Sequence, residues 1–447
     1  MSTSKAAFYS GFFGRYIREE RRKYMSFIAQ IRFLPKEVKR FIATEALLGI
    51  GMGIFGLVLN LHLLALNISP EQIGVLNSVG TLVMGAAAIP AGFFANYIGR
   101  KRVFISGITL IGIGYGLFGL GESMGIFYLA QIIQFIGISF LITTEIQLLF
   151  SYAKINELET VSYSLLFAVF TLFSGMGTLL GGFIPNWLPF GNTKYQWAVY
   201  ISAIFILLAA LLRGILLPCL NNSFDKGKSK LLLSNIRISQ VFDKKIILIT
   251  FYLFLAGMAF SMIVPFQNVI VKFRMGWSDE YISYFLTVNG LILFFASMVM
   301  PWVINKFGTI KAFYYVYWMN LFFALILSFN DISVMMFSTI FLLRSGCFTL
   351  LNNMIESQTM SVIEEEKRDF FAGEKSLLRS IGSAIASYLA GYILENKNYT
   401  YPFLITFIIL LASLLYFVVF IKPIFVEKLN NDKFSFEEEI QKDAEGM

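Results

Sequence analysis

A guanidinium in the middle of an apolar run is the most demanding piece of chemistry in this chain. Arg344 falls near the centre of the stretch from about 332 to 358, where burying it in hydrocarbon costs at least about 2.5 kcal/mol. Its five N–H donors form a planar fork matched to carboxylate or phosphate. Glu356 shares the run but stands twelve residues on, which on a helix is about 18 Å along the axis and about 120° around it. The charge must therefore be met from another helix, by water or by a bound anion. Two readings stay open: contact with an anionic substrate, or an interhelical pair with a carboxylate such as Glu45 or Glu145. Gln131, Gln134 and Glu145 lie within about 60° of one helical face, and polar groups gathered on one face in lipid point into a bundle or a wet cavity. Glu145 is the first candidate for a coupling carboxylate and Glu45 the second; the competing reading of Glu145 is a salt bridge at the cytoplasmic rim. The two glutamines are candidate substrate contacts, or simply hydrogen bond to neighbouring helices. Gln267 and Asn268 follow Pro265, where a broken helix would expose amide groups to a ligand and a plain kink would not. His62, the single histidine, reads as an interfacial residue rather than a proton carrier.

The elements that must hold these groups are membrane helices. With 447 residues, 57% hydrophobic and only 14% charged, and a mean hydropathy of +0.69, the chain carries more apolar surface than a soluble domain could bury. Twelve apolar segments follow one another: roughly 41–66, 72–95, 102–121, 125–150, 160–185, 196–218, 246–271, 280–303, 311–328, 332–358, 374–394 and 401–421. Several approach or exceed the roughly 20 residues of a spanning helix. They lack the alternation of membrane strands.

Between the second and third segments the chain reads Gly92-Phe93-Phe94-Ala95-Asn96-Tyr97-Ile98-Gly99-Arg100-Lys101-Arg102. Gly99 allows a tight turn, and three consecutive cations hold the loop at a membrane surface. The pattern recurs: Asn305, Gly308 and Lys311 lie 209 residues after Asn96, Gly99 and Arg102, and the same offset relates Glu71 to Glu280, Gly137 to Gly346 and Gly181-Gly182 to Ala390-Gly391. One ancestral unit present twice accounts for this. The loop resembles the signature G-x-L-a-D-r-x-G-R-[KR]-[KR] of the major facilitator superfamily of secondary transporters, with Asn96 in place of the usual acid. The resemblance implies an all-α membrane protein of twelve transmembrane helices in two six-helix pseudo-symmetric domains. It also implies that Gly92, Asn96, Gly99, Arg100, Lys101, Arg102, Asn305, Gly308 and Lys311 form paired cytoplasmic gate elements, and that the gate locks less firmly with Asn96 than with an acid. Departures are visible elsewhere: Gln131 stands near the arginine of the family's proton-coupled exporters, and Thr178 replaces the proline of the exporter motif in Gly175 to Gly182.

Cations orient the chain, because Lys and Arg flanking spans stay on the cytoplasmic side. With the N-terminus inside, 31 of the 36 are cytoplasmic, Lys194, Lys272, Arg274 and Lys397 are outside, and Arg344 is within the membrane. The net charge of +8 then follows from topology, with no call for nucleic acid. Residues 1–40 read as a basic interfacial segment without a cleavable signal, 41–220 as the first bundle, 221–245 as a cytoplasmic linker with a possible surface helix at Leu231 to Val241, 246–422 as the second bundle, and 423–447 as a polar tail. Cys219 and Cys347 sit in or at the ends of apolar segments, away from outer loops, which disfavours a disulfide. No P-loop, metal cluster or nucleophile elbow is evident, so an enzyme, a cofactor and ATP drive are not expected. The expectation is a monomeric plasma-membrane transporter of a small organic anion, working by alternating access with a coupling proton or sodium. An efflux pump for amphipathic compounds and a non-transporting receptor or scaffold on the same fold are the alternatives.

Overall fold

The structure is a computed structural model that describes residues 31, 33–153, 159–219, 244–363 and 368–428, apart from the side chains of 160 and 368–370. Among the described residues, twelve helices have the length and apolarity to cross a membrane. They are α1 (Lys36–Ala65), α2 (Pro70–Tyr97), α3 (Arg100–Leu120), α4 (Met124–Ala153), α5 (Glu159–Trp187), α6 (Gln196–Leu216), α7 (Lys244–Met275), α8 (Asp279–Phe307), α9 (Thr309–Leu327), α10 (Val334–Ser361), α11 (Arg368–Glu395) and α12 (Tyr401–Lys428). The shortest has 19 residues, about 28 Å at 1.5 Å per residue, close to the thickness of a bilayer core. Helices are forced on such a sequence because hydrocarbon offers no partner to an open backbone N–H or C=O. The chain is a multi-pass membrane protein.

Helix starts follow local chemistry. Ser69 accepts the Gln72 N–H at 3.3 Å while the Gln72 side chain accepts the Ser69 N–H at 3.0 Å, a reciprocal capping box with Pro70 at the first helical position. Several helix ends reach beyond the apolar runs, as at the start of α11 and at two more places. Helix α1 begins at Lys36, and α12 continues past Lys422 to Lys428 through a π-helical turn at Phe417–Ile421, because charged residues prolong a helix into water after its apolar run has ended. The expected break at Pro265 is real: α7 is interrupted after Ser261, forms a 3-10 turn at Val264–Phe266, and resumes at Gln267. The basic segment of residues 1–30, the Leu231 to Val241 helix, the loop residues 364–367 and the tail beyond Lys428 lie outside the described residues.

Six helices make each half, and the contacts between halves repeat at the sequence offset. Gly182 of α5 packs on Ser283 of α8, where an added Cβ would stand 2.4 Å from the serine side chain; Gly391 of α11 packs on α2, where a Cβ would stand 2.5 Å from the Pro70 carbonyl and 2.8 Å from Gly74. Residues 182 and 391, and 74 and 283, are each 209 apart. Small residues permit such close helix approach in lipid. The same relation joins Asn186, whose amide bonds the Glu280 carboxylate, to Glu395, whose carboxylate accepts the Glu71 N–H at 3.5 Å.

Candidate functional site

Between the halves lies a cavity of about 1120 Å³. Its wall is built by α1, α5, α7, α8, α10 and α11, from Leu57, Thr178 and Gln267 at mid-depth to Tyr163, Pro301, Met360 and Lys375 near the end of the bundle that carries the Gly99 and Gly308 loops. That end is called the basic end. Among the lining residues only Glu356 and Lys375 are charged; the rest are aromatic, aliphatic, hydroxyl or amide groups.

Above the cavity, toward the opposite end, the halves are clasped by two asparagines. Asn60 Nδ2 donates to the Pro265 carbonyl at 2.6 Å and to Asn268 Oδ1 at 3.2 Å, while Asn268 Nδ2 donates to the Leu57 carbonyl at 2.7 Å. Each amide thus reaches the carbonyl three residues before the other, and the break in α7 leaves the Pro265 carbonyl available. Both side chains are buried. A charged cluster sits beyond them: Asp279, buried at the start of α8, binds Lys194 at 2.6 Å from the first half and Lys272 at 2.5 Å, and accepts the Tyr195 hydroxyl at 2.9 Å. Burial and the neighbouring Asp279 charge push the Tyr195 hydroxyl above its usual range, which keeps it a donor. Replacing both Asn60 and Asn268 by alanine is expected to increase labelling of a cysteine at position 267, on a Cys219→Ser, Cys347→Ser background, by about tenfold from the side opposite the basic end. Three hydrogen bonds at about 0.5 to 1.5 kcal/mol each give at least that shift. Unchanged labelling would show that the clasp does not seal the cavity.

Of the residues singled out for substrate, Gln267 lines the cavity. Asn268 is absorbed by the clasp. Gln131 is buried and donates to Asn77 Oδ1 of α2 at 3.3 Å, and Gln134 is buried against Gly114 of α3. Neither is on the cavity wall: both glutamines look into their own half. Arg344 is 2% exposed. Its guanidinium lies over the Phe348 ring at 4.7 Å, and its Nε and Nη2 have no hydrogen-bond partner. Among the described residues no carboxylate pairs with it. It sits five residues before Thr349, the first cavity-lining position on α10.

The carboxylates considered as its partners are engaged elsewhere. Glu45 binds Arg213 of α6, and Glu145 approaches the same guanidinium at 3.9 Å. Arg213 Nε donates to Thr44 Oγ1 at 3.0 Å, and its guanidinium lies beside the stacked Phe41 and Phe104 rings, 4.7 and 4.9 Å from their centroids. Arg213 is wholly buried. In sequence Arg213 reads as one of the cations flanking a span, because a position in the last turn of α6 carries no sign of whether the side chain turns inward. His62 is likewise buried rather than interfacial: Nε2 donates to the Phe118 carbonyl at 3.3 Å, leaving Nδ1 to accept from Thr193 Oγ1 at 2.6 Å.

At the basic end the repeated loops share one backbone shape. Gly99 has φ 95° and ψ 139°, Gly308 φ 77° and ψ 151°. A Cβ would meet nothing within 4 Å at either, so the requirement for glycine is conformational rather than steric. Lys101 donates to the Gly214 and Leu217 carbonyls at 3.0 and 2.5 Å, capping the end of α6 within its own half. Arg100, like Gly92, is partly exposed, whereas Asn96, Arg102, Asn305 and Lys311 are exposed.

A family model described as the Major Facilitator Superfamily matches residues 41–373 and 249–444. No curated protein sequence matches the chain. Among solved structures, the nucleoside transporter NupG is similar with a TM-score of 0.70 at 12% identity, over 86% of this chain and 99% of that one. A bacterial homologue of the human lysosomal transporter Spinster, inward-facing and unoccupied, gives 0.67 at 13% identity over 87% and 97%. A bacterial homologue of the iron transporter ferroportin, inward-facing, gives 0.64 at 15% identity over 85% and 97%. Identities this low carry the fold alone.

Proposed function

The chain belongs to the Major Facilitator Superfamily, and on that premise we propose that this transporter moves a small organic anion by alternating access of the central cavity. The observation that carries the reading is the pairing of a large cavity reaching the basic end with interdomain contacts closing the opposite end. The basic end faces the cytoplasm of a plasma-membrane protein with both termini inside, because Arg100, Lys101 and Arg102 follow the positive-inside rule. In this arrangement the cavity is cytoplasm-facing, and the Gly99 and Gly308 loops close it in the other state. Support for an anion comes from Arg344, buried without a carboxylate among the described residues, and from Lys375 on the cavity wall.

Coupling falls to Glu45, Glu145 and Arg213. One guanidinium faces two carboxylates, and Glu145, the more distant and the more exposed, is the group on which a coupling proton would reside. The test is flux. Purified protein in liposomes is expected to accumulate labelled organic monoanions down an imposed proton gradient, and not sugars or organic cations. Equal flux of neutral solutes and no response to the gradient would overturn both the substrate class and the coupling.

A further inference from the structure

The cavity holds its charge in one place. Glu356 on α10 receives Lys375 on one carboxylate oxygen and Arg379 on the other, both from α11, and Arg379 also donates to Asn352 Oδ1 at 2.7 Å. Residues 352 and 356 on one helix face 375 and 379 on the other, so two pairs at four-residue spacing meet across the α10–α11 contact. Glu356 and Lys375 line the cavity, and Arg379 meets Glu356 from behind that wall; the side chains of Lys375, Arg379 and Glu356 are 19%, 21% and 28% exposed. Glu374, next to Lys375, does not line the cavity.

We propose that this cluster is the substrate's anion site, and that Glu356 is a resident carboxylate which the substrate's own carboxylate displaces from Lys375 and Arg379. The assignment rests on the transport reading above and names the class: a monocarboxylate with an aromatic or similarly flat apolar body. Donor counting sets the sign. An ammonium has three donors and a guanidinium five, so the two cations have N–H groups to spare after Glu356 is bound. Glu356 already faces two cations, so the net positive charge of the cluster repels an incoming third. Charge counting sets the size, because two cations against one carboxylate leave room for one negative charge. The body is set by Phe167 of α5 and Phe294 of α8, stacked across the two halves at 6.0 Å on the cavity wall, with Tyr163 nearby. Binding an anion here costs the exchange of one ion pair for another, and the partial exposure of all three side chains keeps that exchange cheap.

Two substitutions move affinity in opposite directions. Glu356→Gln frees both cations and is expected to lower the benzoate concentration needed for half-maximal thermal stabilisation of the purified full chain by about tenfold. Lys375→Gln leaves Glu356 and Arg379 balanced and is expected to raise it by about tenfold. Benzamide and benzylamine at the same concentrations serve as neutral and cationic probes, acetate as an anion without the ring, all at constant chloride, and size-exclusion profiles establish that each variant is folded. Should Glu356→Gln not fold, Lys375→Gln and Arg379→Gln make the same comparison with the parent. The assignment is overturned if benzoate stabilises none of the proteins, if the variants respond like the parent, or if benzamide and benzylamine stabilise as well as benzoate. Liposome flux separates the two readings: benzoate binding with the expected variant shifts but no flux would refute transport and keep the site. Flux of a solute indifferent to both substitutions would keep transport and refute the site.

Discussion

Arg344→Met is expected to weaken binding and flux of an anionic solute by about ten- to a hundredfold while leaving the purified protein at least as heat-stable as the parent. The guanidinium is buried against Phe348, with Nε and Nη2 unbonded and no carboxylate beside it among the described residues. A charge in that position is a standing cost, at least about 2.5 kcal/mol in a membrane, and an apolar side chain of similar length removes it. A residue that costs stability and is kept is a candidate for function. Arg344 stands about 18 Å along α10 from Glu356, so its contact with the anion belongs to a different position on the transport path from the site at Lys375 and Arg379. A bidentate, charge-assisted contact there contributes about 1.5 to 3 kcal/mol, and its loss weakens binding at that position by about ten- to a hundredfold. Arg344→Lys keeps the charge but not the fork and should lose nearly as much. A fall in denaturation temperature of many degrees in Arg344→Met would assign the arginine a structural role instead. Parental transport of a neutral or cationic solute by Arg344→Ala would sink the anion reading.

Arg213→Ala should do the opposite, destabilising the fold before it alters recognition. It would leave Glu45, 2% exposed, without its cation in the interior of the first half, a change that costs about 3 to 5 kcal/mol. The accompanying loss of the Phe41 and Phe104 contacts adds to it. The denaturation midpoint in detergent reads this directly. Replacing both partners, Glu45→Met with Arg213→Met, should recover most of the loss, since a buried pair exchanged for apolar groups is often neutral. Glu145→Gln separates structure from coupling: the midpoint should hold, and the pH dependence of flux should flatten. Arg213→Ala with an unchanged midpoint would remove the cluster from any structural role, and Glu145→Gln with an unchanged pH profile would remove it from coupling.

Much of the architecture was readable residue by residue. Composition alone required membrane helices, and Pro265 marked where α7 departs from a straight helix, as a break or a kink. The 209-residue offset carried further than the spans did, because it pairs Gly182 with Gly391 and residue 74 with residue 283, the positions at which the halves touch. Gly99 and Gly308 could be read for the same reason: the backbone angle they adopt is a local demand, and only glycine meets it cheaply. Which buried charges meet was a different matter. Glu45 and Arg213 are 168 residues apart, and a cation in the last turn of a span looks the same in sequence whether it snorkels outward or turns inward. Gln131, Gln134 and Glu145 share a face of α4, yet α4 is rotated so that the glutamines meet α2 and α3 and the acid meets α6. Helix rotation and depth come from many small packing contacts along each crossing. No local pattern encodes that sum, so the tertiary structure alone decided that Arg344 stands without a carboxylate among the described residues and that Glu356, at the cavity wall, holds two cations.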